Sequence, residues 1–79
     1  MISKKEAMLK IYDDVYVNHI SRQLELEHLE NWAIKNARKI KNKEERKGTL
    51  AHLETRKEEL KYEIDSRKSL LATVKAKLK

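Results

Sequence analysis

The chain has 79 residues, of which 41% are charged and 39% hydrophobic, and its net charge is +6. It contains no proline, no cysteine and one glycine, Gly48. Because sheet proteins need turns every ~8–12 residues, built largely from Gly, Pro, Asn and Asp, this composition excludes all-β and α/β folds. It predicts a single all-α domain over residues 1–79, and the absence of cysteine excludes disulfides.

No stretch of the chain is apolar for long enough to suggest a membrane span. The longest uncharged run, 15–21, has seven residues, whereas a span needs about 20. A cytoplasmic protein without membrane contact is therefore expected. The excess of cations favours polyanions or acidic protein surfaces as partners.

Capping signals indicate where the helices begin and end. Ser3 and Glu6 form a capping box, in which each side chain accepts a backbone hydrogen bond at a helix start. Basic residues precede Gly48, and glycine commonly ends a helix whose last turn is basic. We therefore predict a helix over about 3–47, a turn at Gly48 and a helix over about 49–78. A break of the first helix near 17–21, where Asn and β-branched residues weaken helix, is the alternative to a continuous arm.

The apolar spacing predicts that the two helices pair as an antiparallel, coiled-coil-like hairpin. In the second half, seven of nine positions spaced alternately by three and four are large and apolar. These positions, which we call the seam of the second helix, are 50, 53, 57, 60, 64, 67, 71, 74 and 78. The first half keeps the same alternation from Met8 to Ile40, but the two frames do not join near Gly48.

Closing the hairpin at Gly48 would place residues opposite each other when their numbers sum to about 97. The acidic segment 25–30 would then face the basic segment 67–75. The basic segment 35–43 would face the acidic segment 54–63. The signs of the charges complement each other, which favours this orientation.

A hairpin closed at Gly48 has arms of unequal length. The second helix would reach back only to about Ile20 and leave residues 3–19 without a cover. Since Tyr and Trp are typical interface anchors, we predict self-association as an antiparallel dimer that forms a helical bundle of the four-helix type. A further protein partner is also expected. The predicted contact residues are Met8, Tyr12, Tyr16, Ile20, Leu24 and Trp32.

No catalytic residue, metal site or cofactor is expected, and we interpret the chain as a non-enzyme without a small-molecule substrate. The three histidines lack metal-binding spacing, and His19 is interpreted as a tolerated polar residue in a helical interface. A Glu-x-x-His motif of the kind found in di-iron bundles occurs once, at 25–28. Ser21 is two residues from His19, a spacing that faces apart on a helix.

A basic stretch provides the main alternative function. Seven cations within 35–47, offset by Glu44 and Glu45, could neutralise phosphates; they are Lys35, Arg38, Lys39, Lys41, Lys43, Arg46 and Lys47. Two observations oppose this interpretation. Several of these cations face glutamates across the predicted hairpin, and no aromatic residue between Trp32 and Tyr62 is available to stack on bases.

The leading hypothesis is a small hairpin that dimerises and modulates another macromolecule by binding it. A nucleic-acid-binding hairpin using residues 35–47 is the first alternative, and a structural or scaffolding subunit of an assembly is the second. In size and predicted architecture, the chain is similar to small plasmid and phage regulators that dimerise as helical hairpins. This likeness of shape implies no residue roles.

Overall fold

The computed structural model describes residues 2–78 and consists of two long helical arms. The first arm contains α1 (Lys4–His28), a π-helical turn (Leu29–Ala33) and α2 (Ile34–Ala37), which follow one another without a gap. The second arm is α3 (Lys43–Leu78), which returns along the first. The molecule measures 59 × 18 × 16 Å, the length of one such helix and the width of two. The all-α helical hairpin expected from the sequence is confirmed.

The first helix begins where the capping box predicted. The Ser3 hydroxyl accepts a hydrogen bond of 3.1 Å from the Glu6 backbone N–H. The alternative, a break near 17–21, does not occur, because α1 runs through this segment. Differences in helix propensity between ordinary residues are below about 0.7 kcal/mol each. Packing against α3 outweighs them.

The turn lies at residues 38–42, so the predicted turn at Gly48 and helix start at 49 were wrong. Gly48 lies within α3 and has no positive φ. The helix begins instead after Asn42, whose Oδ1 accepts a hydrogen bond of 3.0 Å from the Glu45 N–H. Such a cap contributes about 1 kcal/mol, which offsets the roughly 0.5–1 kcal/mol that an internal glycine costs.

The register of the hairpin follows from two ion pairs between the arms. Arg22 pairs with Glu63 and Glu25 pairs with Arg56, so facing numbers sum to 85 and 81. The predicted sum near 97, and with it the pairing of 25–30 with 67–75 and of 35–43 with 54–63, was wrong. With the turn at 38–42, the two arms are nearly equal in length, Lys4–Ala37 against Lys43–Leu78.

α1 and α3 therefore both extend to the end of the hairpin that lies opposite the turn. At the end opposite the turn, α1 and α3 together line a cleft formed by Lys4, Lys5, Met8, Lys77 and Leu78. The inference that residues 3–19 lack a partner within the chain was wrong, because it depended on the misplaced turn. Within residues 2–78, no helix combines the length and apolarity that crossing a bilayer requires.

The seam of α3 is as predicted, whereas the seam of the first arm shifts at the π turn. All nine predicted positions on α3 are buried or half-buried, and Leu60 is fully buried. The first arm keeps its frame from Met8 to Ala33, but the next predicted position, Asn36, is exposed. Ile34 and Ala37 are buried instead, because the wider π turn rotates the following residues by about one position.

Candidate interaction surfaces

One side of α1 carries large apolar residues that α3 does not cover. We define the apolar stripe as Leu9, Tyr16, Val17, Ile20 and Leu24, which recur at spacings of three, four and seven and so share a helix side. Val17 is 66% exposed and Leu24 60%, Leu9 and Tyr16 are also exposed, and Ile20 is half-buried. The stripe is a second apolar surface on a helix that already contributes a seam.

The structure divides the six predicted contact residues into three groups. Met8 and Tyr12 are half-buried seam residues, so the assumption that they lack a cover was wrong. Tyr16, Ile20 and Leu24 come together in the apolar stripe. The Tyr16 ring stacks on Tyr12 with centroids 6.1 Å apart, which connects the stripe to the seam.

The remaining predicted residue, Trp32, lies beyond the stripe, near the turn. Conversely, Val17 belongs to the stripe but was not among the predicted contact residues. A sequence signal for it existed, since Val17 precedes Ile20 by three residues and Leu24 by seven. These spacings place the three side chains on one side of a helix.

The total surface of the hairpin is large for its mass. The chain exposes 6325 Å², whereas a compact monomer of 9.4 kDa exposes about 5,000 Å². The difference, about 1,300 Å², exceeds the roughly 800 Å² that each partner loses in a standard protein–protein interface. The difference reflects the elongated shape of the hairpin, in which each helix is covered on one side only.

Two ion pairs join the arms in the middle of the hairpin. Arg56 donates two hydrogen bonds of 3.0 Å to the two carboxylate oxygens of Glu25. These bonds hold the pKa of the Glu25 carboxyl below its ordinary value and raise the pKa of the Arg56 guanidinium. Arg22 Nε donates a hydrogen bond of 2.9 Å to Glu63. These pairs fix the orientation of the two arms.

The seven cations predicted as the alternative site all lie at the turn end of the hairpin. We call this group, within 35–47, the basic tip. Six of its members are exposed and Arg46 is half-buried. Every ion pair within residues 2–78 lies outside the basic tip. The expectation that several of these cations pair with glutamates across the hairpin was wrong.

Several hydrogen bonds fix the backbone of the basic tip. The Arg46 guanidinium donates a bond of 3.1 Å to the Ile40 carbonyl. The Lys39 N–H donates to the Asn36 carbonyl at 3.0 Å, and Asn42 caps α3 as described. The cations are thus presented on a defined turn.

An aromatic pair adjoins the basic tip. The Trp32 indole stacks on the His28 imidazole with ring centroids 5.1 Å apart, and Trp32 remains 58% exposed. Asn36 donates a hydrogen bond of 2.8 Å to the Trp32 carbonyl. No aromatic lies among the cations in the sequence, but Trp32 precedes Lys35 by three residues, a spacing that makes them neighbours on a helix.

His19 is a polar residue in the hairpin interior. It is 8% exposed, and its Nδ1 has no hydrogen-bond partner among the described residues. Its interpretation as a polar residue in a helical interface agrees with this position. The part of the chain covered by the structure contains no cluster of three or more potential metal-ligating side chains. Comparisons with protein-family models, with curated proteins and with solved structures found no match.

Proposed function

We propose that the chain is a non-enzymatic binding protein that dimerises through the apolar stripe and acts by binding another macromolecule. The observation that carries the proposal is the concentration of exposed large apolar residues on α1. Four of the five stripe residues are exposed, all on α1 with its 25 residues, whereas α3, with 36 residues, exposes two large hydrophobic side chains in all. Contiguous apolar surface of this kind is typical of interaction sites.

A second copy of the chain is the occupant that the surface favours. A two-helix hairpin has a small core, and pairing two stripes would bury apolar residues on both protomers at once, as in a four-helix bundle. The exposed side chains of the stripe would become covered in this arrangement. The stripe also contains Tyr16, a residue type enriched at interface centres.

Sedimentation equilibrium of the full chain tests the dimer. We expect a mass twice that of the 9.4 kDa chain at micromolar concentration. The double variant Val17→Lys/Leu24→Lys should sediment as a monomer and keep helical circular dichroism, because both side chains point away from the seam. Two lysines in each stripe would have to be buried without a partner in the interface, and this cost opposes dimerisation.

The matched control is Tyr62→Lys/Ser66→Lys, which adds two lysines to exposed positions of α3, where Tyr62 is 75% exposed. This variant should remain a dimer. A wild-type chain that sediments as a monomer at high concentration would refute the proposal. Equal dissociation of the stripe variant and the control would also refute it.

A further inference from the structure

We propose that the basic tip and the Trp32–His28 pair form a binding site for single-stranded nucleic acid. This site extends the proposed function by naming the macromolecule that is bound. It uses a surface separate from the apolar stripe and does not require dimerisation.

The charge of the basic tip is available for phosphate binding. Seven cations and two glutamates give a local charge of +5 within residues 35–47. The two glutamates, Glu44 and Glu45, lie in the first turn of α3, where carboxylates are stabilised by the helix dipole. A cation that already pairs with a carboxylate must give up that contact to bind phosphate. None of the seven makes such a pair among the described residues.

The aromatic pair provides the second element that an unpaired strand needs. Bases of single strands stack on exposed aromatic side chains, and this interaction is largely independent of sequence. The His28 ring supports the indole on one side, and the indole still keeps 58% of its surface exposed. Lys35 follows Trp32 by about one helical turn of the first arm, and Lys39 lies in the turn that comes directly after this arm. A base stacked on Trp32 would place the adjoining phosphates near these lysines.

The same features argue against other polyanions. In a duplex the faces of the bases are already stacked, so an exposed indole beside the cations has no partner there. Cations alone attract a protein to an anionic membrane surface, but stronger binding also uses several apolar side chains that enter the lipid, and near the basic tip Trp32 is the one such exposed side chain among the described residues. Among the described residues between Trp32 and Tyr62, no large hydrophobic side chain is exposed. Ile40, in the turn itself, is half-buried.

Binding of labelled oligonucleotides to the full chain tests the site. The probes are single-stranded RNA and single-stranded DNA of about 12 nucleotides, a duplex of the same length, and phosphatidylserine vesicles. We expect both single strands to bind more tightly than the duplex and the vesicles. Because Trp32 is the only tryptophan, we also expect the single strands to quench the intrinsic fluorescence of the protein. Binding of either single strand with quenching supports the proposal.

Substitution of the indole measures the stacking contribution. Trp32→Ala should weaken single-strand affinity about 5- to 140-fold, the equivalent of about 1–3 kcal/mol per stacked base. Trp32→Phe should restore most of this loss, since phenylalanine keeps an aromatic face. The control Tyr62→Ala removes an exposed aromatic residue of α3 and should leave the affinity unchanged. All three variants change exposed residues, and circular dichroism verifies their fold.

Substitution of the cations measures the phosphate contacts. The quadruple variant Lys35→Gln/Arg38→Gln/Lys39→Gln/Lys41→Gln should flatten the log–log dependence of affinity on salt by about 0.7 for each phosphate that is no longer neutralised. The control Lys5→Gln/Lys68→Gln/Lys75→Gln/Lys77→Gln removes the same charge from the opposite end of the hairpin. It should leave most of the salt dependence in place.

Several results would overturn the proposal. These are equal or tighter binding of the duplex, preferential binding of the vesicles, a Trp32→Ala affinity equal to wild type, or an equal loss of affinity in the two quadruple variants. Failure of this site is distinguishable from failure of the dimer. Tip variants should still sediment as dimers, and the Val17→Lys/Leu24→Lys monomer should still bind single strands.

Discussion

The two arms of the hairpin differ in where their large apolar residues lie. α3 keeps one regular seam from Leu50 to Leu78, and only Tyr62 and Leu70 are exposed among its large hydrophobic side chains. The first arm contributes the facing seam, but it also carries the apolar stripe and interrupts its frame at 29–33. The difference is that α3 uses its large apolar residues almost entirely for the contact between the arms, whereas the first arm also exposes a second apolar surface.

The largest expected effect concerns the π turn of the first arm. Because this turn contains one residue more than an α-helical turn, the first arm should tolerate the deletion of one residue there. Deletion of Asn31, an exposed residue of the π turn, should leave an ordinary α-helix in which Leu29, Ile34 and Ala37 still face α3. We expect a folded hairpin with a urea midpoint close to that of the wild type. Circular dichroism and urea denaturation at one protein concentration provide the measurement.

The matched deletion is that of Gln23, which is exposed but lies in the regular part of α1. Removing it should rotate Leu26 and Leu29 about 100° away from α3. At about 1.5–3 kcal/mol for each fully buried leucine, the resulting loss of stability should exceed that of any single substitution proposed below. Equal damage by the two deletions would show that the π turn does not absorb one residue.

Features that depend on the spacing of many residues could be predicted from the sequence. The position of the turn, which depends on a single capping residue, could not. The seam of α3 and the all-α hairpin follow from repeated spacing and composition. The position of the turn depends on two local signals of similar size. An Asn42 cap stabilises a helix that starts after it by about 1 kcal/mol, and Gly48 within that helix costs about 1 kcal/mol. The pattern Asn42-x-x-Glu45 has the same capping-box spacing as Ser3-x-x-Glu6, and the Asn42 cap decides where α3 begins.

The candidate surfaces were predictable to different degrees for the same reason. Tyr16, Ile20 and Leu24 share a helix side whatever the location of the turn, so the stripe was visible in the spacing. Whether the cations of the basic tip have acidic partners depends on the register between the arms. With the turn at 38–42 in place of Gly48, these cations no longer lie opposite the glutamates of α3.

Substitution of Gly48, which lies within α3, should change the stability of the hairpin by an intermediate amount. Nothing lies within 4 Å of a Cβ placed on Gly48, and its backbone is helical. Gly48→Ala should therefore stabilise the hairpin by about 0.5–1 kcal/mol, measured as a higher urea midpoint. The reverse change at an exposed α3 position, Ala51→Gly, should destabilise it by a similar amount. Destabilisation by Gly48→Ala would indicate that the turn lies at Gly48 and that α3 does not run through this residue.

The smallest effect concerns the ion pair that joins the two arms, Glu25 with Arg56. The hydrogen bonds from Arg56 hold the folded-state pKa of Glu25 below its ordinary value of 4.5. Stability from this pair is therefore fully present above about pH 4.5 and is lost as the pH falls through the folded-state pKa. Because both side chains are partly exposed to solvent, the effect should be small and should weaken with salt.

Glu25→Gln isolates this contribution when thermal midpoints are compared across pH. At neutral pH the variant should melt below the wild type, and the gap should narrow as the pH falls, because the wild-type carboxylate then becomes neutral as well. Glu27→Gln is the control, since Glu27 is exposed and makes no ion pair among residues 2–78. A gap that stays constant with pH, or one that Glu27→Gln reproduces, would show that the pairing of Glu25 with Arg56 does not stabilise the contact between the arms.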